Sequence, residues 1–177
     1  GKGVGMVHQH FMLVPSLTVA ENAVMGIEPL KRGIFDFEKA VRMTQDIADK
    51  YHFNLDPRTL VRDLSVGRKQ IVEILKALIR GVQVLIMDEP TAVLTPQETD
   101  ELFEQLKLLR ENGHSIIFIS HKLEEVMRLC DRVTVLRRGR VVGSDLIENL
   151  DQIKLSRMMV GRDVVLKLDK EPSQPKQ

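Results

Sequence analysis

The sequence predicts an α/β fold, and three observations support that prediction. Short apolar runs at 84–87 and 115–120 are typical of buried parallel strands. A stretch before the first of these runs, 71–78, repeats apolar residues at the spacing of one buried helix face. The 177 residues are 43% hydrophobic and 29% charged, which is typical of a globular domain with one ordinary core. We therefore expect mostly helices in the first half and alternating strands and helices in the second.

In the first half, capping residues predict where helices begin. Thr18 and Glu21 have the spacing of a capping box, so a helix should begin there and run to about Gly26. Asp36 can cap a second helix, from 37 to about 51, in which apolar residues again show helical spacing.

In the second half, two further helix starts are marked. Ser65 can cap a third helix, which Gly81 should end. Thr95 and Glu98 have capping-box spacing around a first-turn proline, Pro96, and this combination predicts a fourth helix.

The remaining elements are shorter. Residues 3–8 are expected to form a first strand, and 122–129 a helix. Residues 132–136 and 141–142 are expected to form two strands of a hairpin, joined by a turn at 138–139.

Composition bears on the possible partners and on location. The net charge is +1, from 26 basic and 25 acidic residues, so no dominant electrostatic footprint for nucleic acid is expected. No apolar run approaches the roughly 18 residues of a membrane span, and the N-terminal residues lack a signal-peptide core. The single cysteine, Cys130, cannot form an internal disulfide. These features suit the cytosol.

Two adjacent acids follow the apolar run at 84–87. Asp88 and Glu89 stand at the carboxyl end of a predicted strand, where open α/β sheets bind ligands. One carboxylate there can hold Mg²⁺ and the next can accept a proton from water. Alternatively, the two acids start a loop and cap the next helix.

Three other segments place polar groups at comparable positions. Ser65 and Gly67 begin a helix, where unpaired N–H groups favour an anion, although an ordinary N-cap explains Ser65 equally. His121 follows the strand at 115–120, and Gln9 follows the first strand. A lone histidine at such a place is usually structural or solvated.

In this order along the chain, these motifs resemble the nucleotide-binding domain of an ATP-binding cassette (ABC) transporter. Gln9 matches the Q-loop glutamine, 64–70 (LSVGRKQ) the signature loop, 84–89 the Walker B strand, 91–95 the D-loop and His121 the switch histidine. The resemblance covers nearly the whole chain up to about residue 161. It implies part of a P-loop NTPase (ABC ATPase) sheet with an inserted helical subdomain.

The resemblance also implies roles for the residues at the strand ends. Asp88 and Gln9 would contribute to binding Mg²⁺, and Gln9 would sense the attacking water. Glu89 would be the general base toward that water, and His121 would contact the γ-phosphate of ATP.

Other implied roles concern partners. Ser65 and Gly67 would close over ATP held by a second nucleotide-binding domain, which the resemblance places in tandem on the parent chain. Membrane permease subunits would dock beside the Q-loop, at the cytoplasmic face of the cell membrane. Phe11, Leu13 and Met25 would then be partner contacts, and core packing explains them equally well.

The expected organisation has four parts. Residues 1–17 would be the Q-loop strand and loop, and 18–64 the helical subdomain. Residues 65–161 would carry the signature helix with the Walker B, D-loop and H-loop segments. Residues 162–177, charged and proline-bearing, would be a linker or tail.

The finer resemblance is to the first ATPase domain of importers of nucleosides or simple sugars. It rests on HQHFMLVPSLTVAEN, on LSVG in place of LSGG and on TAVLTP. The implied function is to couple ATP binding and hydrolysis to uptake. The alternatives are a soluble non-transport ABC ATPase, or a non-catalytic interaction fragment that keeps only the signature and coupling surfaces.

The chain also departs from the family pattern. It contains no G-x-x-x-x-G-K-[ST] motif, so we expect the phosphate-binding loop to lie upstream and the isolated chain to lack ATPase activity. Arg68, Ile71 and Thr95 replace the residues that are usual at those places, which weakens the expected contacts across the dimer. The missing strand would lie between 115–120 and 132–136, so we expect instability, self-association or a rearranged sheet.

Overall fold

The computed structural model of the chain describes residues 3–9 and 11–160. These residues form two compact units, the first ending at His121 and the second beginning at Lys122. The α/β prediction is confirmed. The predicted tail at 162–177 lies outside the described residues. Within the described ranges, no helix is long and apolar enough to cross a membrane.

The first unit combines a parallel sheet with helices and a small hairpin. A 3₁₀ turn, Val61–Asp63, precedes α3. The elements in chain order are β1 (Val4–Val7), α1 (Val19–Val24), β2 (Leu30–Lys31), β3 (Ile34–Phe35), α2 (Phe37–Lys50), α3 (Val66–Ile79), β4 (Val84–Asp88), α4 (Pro96–Glu111) and β5 (Ser115–Ile119).

The sheet of this unit has the strand order β1-β4-β5, with all strands parallel. Val7 pairs with Met87, which pairs with Phe118, so the carboxyl ends of the three strands lie at one edge. Successive side chains along each strand point to opposite faces of the sheet. Val7 and Met87 are buried on one face, whereas Met6 and Ile117 are exposed on the other. One face of the sheet therefore carries the core and the other is open.

The helix starts occur where capping chemistry predicts them. Thr18 and Thr95 are N-caps with complete capping boxes, and Asp36 and Ser65 accept backbone N–H groups at the starts of α2 and α3. The first helix is shorter than predicted. It ends at Val24 because the next residue, at φ −54° and ψ 123°, has left the helical region.

The second unit contains a helix pair and a hairpin. Its elements are α5 (Leu123–Leu129), β6 (Arg132–Arg137), β7 (Arg140–Leu146) and α6 (Gln152–Val160), with a 3₁₀ turn at Ile147–Asn149. Its core includes Val126, Val135 and Leu155. The hairpin turn is confirmed at Arg138 and Gly139, with φ of 50° and 73°, as a two-residue turn between twisted strands requires.

Three features differ from the sequence-based expectations. The strand expected at 141–142 extends over the whole of β7, although Ser144 and Asp145 are polar. Neither the β2–β3 hairpin nor α6 was expected. The expectation of instability, self-association or a rearranged sheet stays a prediction.

Candidate functional site

Glu89, which directly follows β4, has an uncommon backbone conformation. Glu89 has φ of 46°, in the left-handed region that non-glycine residues rarely adopt. Its N–H donates to the carbonyl of Ile119 at 2.9 Å, so β5 fixes the strained residue. Strain of this kind costs about 1–3 kcal/mol and is concentrated at functional sites. The conformation turns the chain out of the sheet directly after Asp88.

The side chain of Glu89 meets His121, which follows β5. Glu89 Oε1 lies 2.8 Å from His121 Nδ1. The Glu89 side chain is 20% exposed and that of His121 is 71% exposed. The glutamate is therefore mostly buried at the sheet edge, and the histidine faces solvent. Among the described residues, the other oxygen, Glu89 Oε2, is buried and has no hydrogen-bond partner. A buried carboxylate oxygen left in this way is suited to a proton donor supplied by a ligand or water.

Gln9 and Asp88 lie at the same sheet edge. Asp88 is the last residue of β4 and is half-buried, and Gln9 is exposed two residues after the end of β1. Because Val7 pairs with Met87 in parallel register, both chain segments leave the sheet on the same side. The structure thus brings Glu89 and His121 into contact and places Asp88 and Gln9 at the carboxyl ends of two paired strands, at the same edge of the sheet.

Ser65 and Gly67 form a second group, at the start of α3. Ser65 Oγ accepts the N–H of Arg68 at 3.4 Å, which is the predicted N-cap bond. The Gly67 N–H donates to Glu98 Oε1 at 2.9 Å. In the described part of the chain, the hydrogen bonds of these two residues run to α3 and α4 and not to the strand ends.

Glu98 was expected only as part of the cap of α4, and it also binds the start of α3. Its Oε2 accepts the Thr95 N–H at 3.1 Å, while Oε1 accepts Gly67 from the other helix. The Gly67 amide, followed by the Thr95 amide, lowers the pKa of Glu98 below its ordinary value. Both amides therefore bind an ionised carboxylate at neutral pH.

Side chains of α3 and α1 hold the loop that follows β1. Glu73, only 9% exposed, accepts the Met12 N–H at 2.5 Å, and Lys76 donates to the Met12 carbonyl at 3.0 Å. The buried Asn22 binds both backbone groups of Val14, at 2.7 and 3.0 Å. The backbone of the loop is thus fixed at Met12 and Val14, and the side chains of these two residues are exposed.

Sequence reasoning did not identify these loop contacts, although one signal was present. Glu73 and Lys76 interrupt the buried face of α3, next to Ile74 and Leu75. A carboxylate at a buried helix position is rare unless it is paired. That position marks a tertiary contact, but only the fold shows that Met12 is the partner.

The described residues contain no cluster of three or more His, Cys, Asp or Glu side chains suited to a metal ion. Mg²⁺ needs only one or two carboxylates where phosphate and water complete its shell. Asp88, with the Gln9 amide at the same edge, offers the hard oxygen donors that this cation prefers.

Comparisons with known proteins agree with this geometry. A family model described as "ABC transporter" matches residues 1–92, more than half of the chain. The guanosine import ATP-binding protein NupO of Bacillus subtilis is 50% identical over 173 residues, which are 98% of this chain and 34% of that protein. The ribose import ATP-binding protein RbsA of Chromobacterium violaceum is 42% identical over 174 residues, 98% of this chain and 35% of that protein.

A solved structure is similar over most of the chain. The cbiO1 protein of Clostridium perfringens, described as part of the ABC transporter complex cbiONQ, has a TM-score of 0.71 and 27% identity, and the match covers 94% of this chain and 64% of that one. The chain spans about a third of the length of the curated relatives that it matches.

Proposed function

We propose, on the premise that this chain belongs to the ABC transporter family, that it acts in an ATP-binding subunit whose ATP hydrolysis drives import. The observation that carries the proposal is the end of β4. There Glu89 is held in a left-handed conformation, contacts His121 and keeps one buried oxygen without a partner among the described residues. A general base needs an oriented carboxylate with an accepting oxygen directed at its proton donor.

The catalytic residues of this proposal are Glu89 and His121. Glu89 Oε2 accepts the proton of the water that attacks the γ-phosphate, and the contact with His121 Nδ1 orients the carboxylate. His121 is exposed enough to reach that phosphate as well. Loss of either side chain should therefore affect hydrolysis more than nucleotide binding.

Asp88 and Gln9 are the residues we propose for Mg²⁺. Their oxygens suit the cation in kind, and they lie at one sheet edge beside Glu89. When bound, the cation supplies positive charge that offsets the charge of the phosphates. Asp88 is held by β4, a central strand, so its position does not depend on a mobile loop.

Ser65 and Gly67 lie apart from these residues in the hydrogen-bond network, which suits a different role. We assign them to ATP held by a second nucleotide-binding domain, with the positive end of the α3 helix dipole favouring phosphate. In the proposed domain organisation, residues 1–17 and 65–161 belong to the ATPase core and residues 18–64 form the helical subdomain. Residues 162–177 are a linker or tail.

The transported compound in this proposal is a nucleoside or a simple sugar. The support is the function named for the relatives, guanosine import at 50% identity and ribose import at 42%. The remaining partners are membrane permease subunits at the cytoplasmic face of the membrane. The exposed side chains of Met12 and Val14, on a loop whose backbone is fixed, provide a firm apolar surface for such a partner.

The test is a pair of substitutions in the complete gene product, meaning the longest reading frame that contains this chain. Glu89→Gln should leave MgATP binding nearly intact and slow hydrolysis about 10²-fold or more, because the proton acceptor is lost. Glu101→Gln, at an exposed position of α4, serves as the control and should hydrolyse ATP at the wild-type rate. Equal hydrolysis by the wild type and Glu89→Gln would contradict the proposal.

A further inference from the structure

One carboxylate joins the starts of two helices that are distant in sequence. Glu98 Oε1 accepts the N–H of Gly67, 31 residues away, at 2.9 Å. Its Oε2 accepts the N–H of Thr95 at 3.1 Å and the Thr95 hydroxyl at 3.2 Å. The N-terminus of α3 and the segment before α4 are therefore fixed to the same side chain.

The contact with Gly67 is so close that a larger residue at this position would require the Glu98 side chain to move. A Cβ atom at position 67 would lie 2.9 Å from both Cγ and Oε1 of Glu98 and 3.0 Å from its Cβ. Gly67 does not have a positive φ, so its backbone conformation alone does not call for glycine. The approach of Glu98 is thus a sufficient reason for glycine at this position.

A helix cap does not by itself account for the second bond. The comparable box at α1 shows this: Glu21 Oε2 binds the Thr18 N–H at 2.8 Å and the Thr18 hydroxyl at 2.7 Å. Those bonds remain within one helix start. Glu98 makes the same bonds to Thr95 and extends its other oxygen to α3.

We propose that Glu98 is a positioning residue for ATP hydrolysis, which holds the start of α3, with Ser65 and Gly67, against Thr95, the N-cap of α4. This inference rests on the proposed function, in which Ser65 and Gly67 face a nucleotide held by a second domain. In this proposal Glu98 does not touch that nucleotide. It acts by fixing the Gly67 amide, so that the start of α3 meets the phosphates in one position.

The charge of Glu98 strengthens this link. Because the two amides keep its pKa low, the carboxylate is ionised under working conditions, and charge-assisted hydrogen bonds are stronger than neutral ones. Placement errors of about 1 Å can slow an enzyme about 10²-fold, so a residue remote from the chemistry can limit its rate.

The experiment measures kcat and KM for ATP, together with amide hydrogen exchange at 66–69, in the complete gene product. Glu98→Ala should speed exchange at these amides and lower kcat about 10-fold or more, because the start of α3 is no longer fixed. Glu98→Gln, whose amide oxygen can still accept the Gly67 N–H, should recover part of the kcat and of the protection. Glu21→Ala is the matched control, since it removes the other capping box and should leave kcat close to wild type.

The results separate this inference from the proposed function. An active wild type with an equally active Glu98→Ala variant would overturn the role of Glu98 and leave the proposed function standing. A kcat lowered as much by Glu21→Ala as by Glu98→Ala would also overturn it, because general destabilisation would explain both. A wild type without any ATP hydrolysis would contradict the proposed function, and this inference with it. If Glu98→Ala does not fold, Glu98→Gln and Glu21→Ala still allow the comparison.

Discussion

Replacing Gly67 by alanine should destabilise the first unit, because the new methyl group would overlap the Glu98 side chain. The added Cβ would lie 2.9 Å from Glu98 Cγ, which is too close for carbon atoms in contact. Either the overlap remains, at about 1–3 kcal/mol for overpacking, or Glu98 moves and the Gly67 bond is lost. Glu98 is partly exposed, so solvent limits that loss to about 1 kcal/mol.

Alanine also has an intrinsic advantage over glycine in a helix, of up to about 1 kcal/mol, which is smaller in the first turn. The expected net cost of Gly67→Ala is therefore below about 1 kcal/mol of unfolding free energy if Glu98 moves, and up to about 2 kcal/mol if the overlap remains. The size of this effect should depend on Glu98. In a Glu98→Ala background the overlap with Cγ and Oε1 disappears and only the 3.0 Å approach to the Cβ of residue 98 remains, so Gly67→Ala should cost less.

A double-mutant cycle followed by circular dichroism in urea measures this coupling. The chain contains no tryptophan and a single tyrosine, so a backbone signal is the more direct probe. Gly67→Ala in a Glu21→Ala background provides the control, because the capping bonds of Glu21 run to Thr18 and not to Gly67. An equal cost of Gly67→Ala in the wild-type and Glu98→Ala backgrounds would refute the close contact between Gly67 and Glu98.

Two further predictions concern the first unit. Glu73→Ala should cost about 1–3 kcal/mol of unfolding free energy, because the Met12 N–H and the Lys76 ammonium lose a buried carboxylate. The control is Glu104→Ala, in an exposed ion pair of the same spacing, which should cost less than about 0.5 kcal/mol. Equal costs of the two substitutions in urea denaturation would contradict this prediction. Ile117 is 50% exposed on the open face of the sheet, and Ile117→Lys should reduce self-association of the 177-residue chain. Size-exclusion chromatography with light scattering measures this effect. A wild-type chain that is already monomeric would contradict the prediction.

The parts of the fold that the sequence predicts correctly depend on local chemistry. A capping box needs only residues three apart, and both Thr18 with Glu21 and Thr95 with Glu98 form in the structure as the spacing predicts. The elements that were missed have weak local signals. Each strand of the β2–β3 hairpin is only two residues long, which is too short to show an alternating pattern.

Some features of the candidate site were also predictable from the sequence, and others were not. The acids at the end of β4 and the histidine after β5 were predicted from strand ends, but the direct contact between Glu89 and His121 depends on the parallel pairing of the two strands. The bond from Gly67 to Glu98 spans 31 residues and joins two helix starts, each of which has an ordinary cap when considered alone. Such contacts are fixed by packing, and no pattern within one segment specifies them.

Titration with a fluorescent ATP analogue tests most directly whether Asp88 and Glu89 belong to a nucleotide site. The complete gene product should bind the analogue saturably, and Asp88→Asn should weaken the Mg²⁺-dependent part of that binding. The 177-residue chain alone should show no measurable affinity, because its sequence contains no phosphate-binding loop motif. Saturable binding at micromolar concentrations by the chain alone would contradict this prediction, and absence of binding by the complete gene product would contradict the proposed function itself.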